Sequence, residues 1–275
     1  MVQNGFTLKG RTVAITRSRD QAEETGKLIK QYEGEPYFIP AIEIKATSDL
    51  LTVENFIAEL WKERIDYVLF MSVNGVRCLF SSAENLGLKS QLEQSLEETV
   101  TLAVGPKTAQ ELRSHNVQVG LVPAKYSSEG IIECLRQYGI SGKTIYIPRT
   151  RGATTDLAKS LRAIGGKVKE IYVYESLLPD NKDLAERFLR DLIDGKIDAM
   201  IYGSSLSAKN LFKMLRELIS KKKLLTIMNS KLTIVAIGPV TAEALSEIGL
   251  RVDVIPDRYT FKGALIELAC YWSAK

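Results

Sequence analysis

The sequence predicts an α/β protein built twice over, each copy a parallel sheet wound on both faces by helices. Three observations carry this expectation. The chain aligns with itself when shifted by about 132 residues. Each copy alternates short β-rich apolar runs with helical patterns, as parallel βα units do. The runs are apolar throughout, which suits strands covered on both sides.

The repeat is extensive. Residues 10–19 meet residues 142–151, residues 66–72 meet 198–204, and residues 104–109 meet 237–242. The tails match too: Val122-Pro123, Tyr126 and Gly130 meet Ile255-Pro256, Tyr259 and Gly263. So many matches in one register exclude chance.

The elements follow in order. Residues 12–16 read as a first strand, and the next helix carries Ala22, Leu28, Ile29 and Tyr32 on one face before ending near Gly34. Its counterpart carries Leu157, Leu161 and Ile164 and stops at Gly165-Gly166, a helix-ending signal. Residues 35–39 form the second strand, matched by 167–171. Strands at 67–71 and 199–202 each feed a helix, the later one with Leu211, Phe212, Leu215 and Leu218 on one face. Strands at 101–104 and 233–237 feed helices that begin at Gly-Pro. Short strands at 119–122 and 252–255 precede the last helices, 128–136 and 261–271. Five strands per copy predict two doubly wound sheets of flavodoxin-like type.

Composition narrows the function. With 275 residues the chain has room for two domains, and 45% hydrophobic with 25% charged residues is globular in character. No run approaches the roughly 20 apolar residues that span a bilayer. Residues 1–6 lack the pattern of a secretion signal, so the cytoplasm is the expected compartment and no membrane is expected as partner. Cys78, Cys134 and Cys270 are scattered singly and read as buried thiols. His115, the only histidine, reads as the solvated end of a helix, which leaves no metal site or Ser-His-Asp triad. Lys221-Lys222-Lys223 reads as a solvated helix end where the dipole favours positive charge. A net charge of +4 suits an acidic small molecule, and without a basic arm or stripe no nucleic acid is expected.

In open parallel sheets ligands bind beyond the carboxyl ends of the strands. Here those ends hold Arg17 and Arg149 after the first strands, Ser72, Ser204 and Ser205 after the third, Thr108 and Thr241 after the fourth, and Ser127 after the fifth. Small and hydroxylated residues at strand-to-helix junctions expose N–H groups and hydroxyls at the positive end of a helix, although Ser, Thr and Gly are also ordinary helix caps. Such an edge suits a ligand rich in carboxylates. Neither copy has a dinucleotide or P-loop glycine pattern, clustered aspartates or a Cys/His pair, so no cofactor or covalent nucleophile is expected.

With these motifs in view, the chain resembles the uroporphyrinogen-III synthase family along nearly its whole length. The matching pieces are residues 13–17, 38–40, 70–76, 103–109 and 236–242, with Val173-Tyr174-Glu175 fitting a Val-Tyr-x element. The resemblance implies that the first βα unit is exchanged. Residues 1–41 and 179–275 would form one domain and 47–172 the other, joined by a two-stranded connector of hinge segments 42–46 and 173–178. The repeat itself accommodates a plain tandem pair equally well.

The resemblance further implies a cofactor-free, monomeric lyase of porphyrin and heme biosynthesis. It would close hydroxymethylbilane, an octacarboxylate, into uroporphyrinogen III with inversion of the last pyrrole ring and release of water, in the cleft between domains. Tyr174 matches the tyrosine favoured as proton donor, and Ser72, Thr108, Ser204 and Thr241 match substrate-contacting positions. Gly203 and Leu206 depart from the commoner Thr and Ser or Thr. A transient contact with the deaminase that makes the unstable substrate is also expected. A two-lobed module that only binds anions would share every feature read from composition.

Overall fold

The computed structural model describes residues 6–17, 19–62 and 65–274, the side chains of residues 19–21 excepted. The strands are β1 (Thr12–Ile15), β2 (Glu35–Phe38), β3 (Glu43–Ala46), β4 (Tyr67–Phe70), β5 (Val100–Ala103), β6 (Thr144–Thr150), β7 (Lys167–Leu177), β8 (Ala199–Tyr202) and β9 (Thr233–Ala236). The helices begin with α1 (Arg19–Gln31), α2 (Leu50–Lys62), α3 (Val73–Asn85), α4 (Lys89–Glu97), α5 (Pro106–Ser114) and α6 (Ser128–Tyr138). They continue with α7 (Asp156–Ala163), α8 (Lys182–Ile193), α9 (Ser205–Arg216), α10 (Lys221–Lys231), α11 (Pro239–Ile248) and α12 (Phe261–Ser273). The chain divides into two units, Met1–Glu43 with Leu177–Lys275, and Ile44–Ser176.

The first unit holds a four-stranded sheet in the order β2-β1-β8-β9, with β1 parallel to β2 and β8, and β8 parallel to β9. Side chains alternate across its faces. Ala14, Met200, Tyr202, Ile234 and Ala236 enter one core with Phe188, Leu211 and Leu245. Val13, Ile15, Ala199, Ile201 and Val235 enter the other with Ile29, Leu265 and Leu268. Both faces are dry, which is why the strands read as unbroken apolar runs.

The second unit holds five strands in the order β3-β7-β6-β4-β5. Val68, Phe70, Ala103 and Tyr146 face a core shared with α2, α3 and α4. Tyr67, Leu69, Leu102, Ile145 and Ile147 face one shared with α6 and α7. Each sheet therefore joins two opening strands from one repeat to two later strands from the other.

The fifth strand of each copy is corrected. Residues 119–122 and 252–255 contribute only isolated parallel bridges, Leu102 to Leu121 and Val235 to Val254. Pro123 and Pro256 follow at once, and proline has no N–H to extend a ladder. Counted with these bridges, the first unit has the 2-1-3-4-5 order of a flavodoxin-like sheet, and the second has the same order with β3 added outside β7. Helices α2, α4, α8 and α10 were not anticipated, and β7 runs on to Leu177 beyond its expected end.

Two further readings change. Lys221–Lys223 open α10 rather than close it, so the dipole opposes their charge, and all three stay in water. His115 caps the end of α5 but is half-buried, its ring stacked on Phe80 at 4.1 Å between centroids. Burial lowers its pKa below the usual histidine value. Cys78 is buried, and Cys134 and Cys270 are half-buried, with their thiol pKa values pushed up by burial.

The repeat also fixes two glycines. A Cβ on Gly130 would lie 2.0 Å from the Lys125 carbonyl oxygen, and one on Gly263 would lie 2.3 Å from that of Arg258. Each sits in the first turn of a last helix, where the preceding loop folds back. Gly130→Ala and Gly263→Ala are each expected to cost roughly 1–3 kcal/mol by overpacking, read as a lower urea midpoint at unchanged slope.

Candidate active site

The carboxyl edge of the second unit brings Ser72 and Tyr174 together across 102 residues of chain. Ser72 ends the loop after β4 and caps α3, its Oγ accepting a hydrogen bond from the Gly75 N–H at 3.0 Å. The same Oγ lies 3.1 Å from the Tyr174 hydroxyl. Gly75 keeps this corner open: a Cβ there would come within 3.3 Å of Ser72 Oγ and 3.8 Å of the Tyr174 ring.

Tyr174 reaches that position through an irregularity in β7. Arg149 pairs with Tyr172, but Thr150 pairs with Tyr174, so one residue is skipped in the register. A bulge of this kind re-aims a side chain. Val173 and Tyr174, which a regular strand would send to opposite faces, both enter the core of α3. Tyr174 is buried, and that burial raises its phenol pKa above the usual value. The Ser72 hydrogen bond opposes the shift, and the positive charge of Arg149 opposes it further.

Arg149 ends β6 with its charge already met. Nη1 lies 2.5 Å from Glu170 Oε1, and Nη2 donates to the Thr154 carbonyl at 2.7 Å. Both side chains of the ion pair are about nine-tenths buried, and Nε is buried with no hydrogen-bond partner. Thr150 Oγ1 is likewise buried without a partner. Arg151 is exposed and pairs with Glu175 at 2.8 Å.

The remaining positions of this edge are helix starts. Thr108 is buried in the first turn of α5, which Gly105 caps and Pro106 begins. Ser127 caps α6, accepting from the Gly130 N–H at 3.2 Å. The Tyr126 ring lies over Gly105, 3.3 Å from where a Cβ would stand.

The first unit has an equivalent edge without the phenol, because the repeat places Ile42 opposite Tyr174. Ser204 caps α9, its Oγ accepting from the Ser207 N–H at 3.1 Å. Ser205 donates to the Val240 carbonyl at 3.0 Å and so ties α9 to the start of α11. Thr241 is buried in that first turn. Arg17 is half-buried, its guanidinium 5.2 Å from the centre of the Phe261 ring. Burial lowers its pKa, opposed by Glu24. Gly203 leaves it room, since a Cβ there would lie 3.9 Å from Arg17 Nε. Thr16 Oγ1 is buried without a partner at the end of β1. Ser18 and the side chain of Arg19 lie outside the described residues.

Sequence reasoning missed the partner of Arg149. In the repeat Arg149 aligns with Arg17, which suggests one role for both, and Glu170 carries no local signal of pairing 21 residues back. The orphaned hydroxyls of Thr16 and Thr150 left no signal either, because burial without a partner is a tertiary property. Among the described residues no group of three or more His, Cys, Asp or Glu is placed to hold a metal, and no helix is long and apolar enough to cross a membrane.

The family model described as uroporphyrinogen-III synthase HemD matches residues 23–266. A putative uroporphyrinogen-III synthase of Methanothermobacter thermautotrophicus is 31% identical over 94% of this chain and 97% of its own. The uroporphyrinogen-III synthase of Chlorobaculum parvum is 28% identical over 90% of this chain and 94% of its own. The fold matches the crystal structure of a mutant uroporphyrinogen III synthase from Thermus thermophilus with a TM-score of 0.63 at 20% identity, covering 97% of this chain and 100% of that one.

Proposed function

The chain belongs to the uroporphyrinogen-III synthase family, whose members cyclise hydroxymethylbilane to uroporphyrinogen III, and on that premise we propose that Tyr174 is the acid that drives the closure here. The observation that carries this assignment is a buried phenol hydrogen-bonded to a helix-capping serine.

Ser72 Oγ already accepts from the Gly75 N–H, so its own proton is free to point at Tyr174 Oη. In that orientation the serine donates, and the phenolic proton turns outward to the substrate. Burial keeps the phenol neutral, and a neutral phenol has a proton to give. The hydroxymethyl C–O bond breaks as that proton reaches oxygen, releasing water and leaving an azafulvene. The substituted carbon of the last pyrrole attacks the exposed carbon, and the resulting spiro intermediate fragments and recloses. A proton lost as the pyrrole regains aromaticity restores the phenol.

The bilane also closes unaided, to the symmetric isomer, so selectivity demands a held conformer. The helix starts at Thr108, Ser127, Ser204 and Thr241 offer N–H groups to the substrate carboxylates, while the Ser72 and Ser205 hydroxyls are engaged by Tyr174 and the Val240 carbonyl. Arg17, partly stripped of water, supplies a cation on the first unit. Arg149, whose charge Glu170 meets, is better suited to holding the β6–β7 corner than to receiving a carboxylate. We place the reaction in the cytoplasm, with the unstable bilane passed on from the preceding deaminase by transient contact.

The direct test supplies fresh hydroxymethylbilane, oxidises the products and resolves the isomers. An isomer ratio equal to the protein-free control at high protein concentration would mean a binding module and no synthase. A pH profile tests the acid. With the phenol pKa raised, its proton is retained above the ordinary tyrosine value near ~10. The alkaline limb of kcat is therefore expected above that value, and Tyr174→Phe should abolish the limb. A fall in kcat centred between pH 7 and 8 would point to another donor.

A further inference from the structure

One group on the first unit has no part in proton transfer or carboxylate binding: large apolar side chains standing in water at the helix starts. Leu206 lies in the first turn of α9 and is 45% exposed, and Val240 lies in the first turn of α11 and is 73% exposed. Tyr259 rests its ring against Gly238, the cap of α11, and is 64% exposed. The Ser205 hydrogen bond to the Val240 carbonyl joins the two helix starts, so Leu206 and Val240 stand on neighbouring first turns.

Neither side chain belongs to a buried core. Both project from a first turn whose capping comes from Ser204 and Gly238, and polar residues would solvate these positions at least as well. The second unit provides the comparison. There the repeat puts Asn74 opposite Leu206 and Lys107 opposite Val240. It keeps the tyrosine, for Tyr126 lies against Gly105 just as Tyr259 lies against Gly238, and with the same 64% exposure. From one ancestral unit, the second edge has become polar and cationic at these two positions and the first has become apolar.

The surroundings point to the occupant. Ser204, Ser205, Thr241 and Arg17 stand around the apolar residues on the same carboxyl edge. A flat apolar body with carboxylates on its rim matches that arrangement, and a small anion does not. We propose that Leu206, Val240 and Tyr259 receive the faces of pyrrole rings and thereby help to select the conformer that closes. This inference rests on the synthase reading above. The apolar side chains form a specificity-determining surface distinct from the proton donor.

The experiment exchanges the residues between repeats: Val240→Lys, Leu206→Asn and the double variant, assayed with hydroxymethylbilane at low and high salt. Carboxylate attraction alone predicts that the added lysine lowers KM at low salt. Ring contact predicts a roughly tenfold higher KM for the double variant, the equivalent of about 1.4 kcal/mol. It also predicts a larger share of the symmetric isomer, and an effect that survives high salt. Both positions are exposed, so an unchanged melting temperature confirms the fold. If the wild-type chain forms isomer III while the double variant keeps or lowers KM, the ring-contact proposal is overturned and the synthase reading stands. If the wild-type chain forms no excess of isomer III, the synthase reading falls and takes this proposal with it.

Discussion

Replacing Tyr174 with phenylalanine is expected to lower kcat by roughly 10- to 100-fold, with KM nearly unchanged and a larger fraction of the symmetric isomer. General acids contribute up to about 10⁴-fold in favourable cases, but the bilane hydroxyl also leaves unaided, which limits what a donor can add. The substitution removes one oxygen and leaves the ring in its core, so the fold should survive. The Ser72 hydroxyl keeps its bond to the Gly75 N–H, and α3 keeps its cap. The measurement is a stopped assay with isomer separation, beside a melting curve. A variant with wild-type kcat and isomer ratio would remove Tyr174 from the chemistry. The companion Ser72→Ala should cost less in rate, because the phenol retains its proton. It should cost about 1 kcal/mol in stability through the lost cap.

Arg149→Met is expected to cost stability before it costs chemistry, on the order of 3 kcal/mol. It leaves Glu170 buried without its cation and frees the Thr154 carbonyl. A buried carboxylate in that position either takes up a proton or pulls the strand ends apart. Glu170→Gln restores neutrality, so the pair Arg149→Met with Glu170→Gln should recover part of the loss. That recovery is the signature of an internal ion pair and is read from urea unfolding. A substrate-binding role predicts the reverse: unchanged stability, a raised KM and no rescue. The alignment of Arg149 with Arg17 suggested equal roles, and the structure gives them different surroundings. One arginine faces a carboxylate in the interior, and the other lies half-exposed beside an aromatic ring.

Much of the site was legible because helix caps are local. Ser72, Ser127 and Ser204 could be named from the sequence because a small hydroxylated residue before a helical pattern bonds an N–H three residues on, whatever surrounds it. The same locality made the Gly-Pro starts of α5 and α11 readable. The fifth strands were misread for the opposite reason. A short β-rich run marks a candidate strand, but a ladder needs consecutive partners, and buried prolines end these runs after one bridge.

By itself, then, the sequence determined a duplicated α/β chain, the positions of its strand ends and the residue types that stand there. Its period-two and helical patterns are short-range consequences of backbone geometry, so they survive without knowledge of the partner. Tertiary structure alone decided that β1 pairs with β8 and β6 with β4, since a repeat permits either copy to complete the other's sheet. That choice sets the opening strands of one repeat beside the later strands of the other. It places Tyr174 within 3.1 Å of Ser72, commits Arg149 to Glu170, and leaves Val240 in water. Each of these is a relation between distant residues, and such relations exist only once the hydrophobic faces of both repeats have been buried.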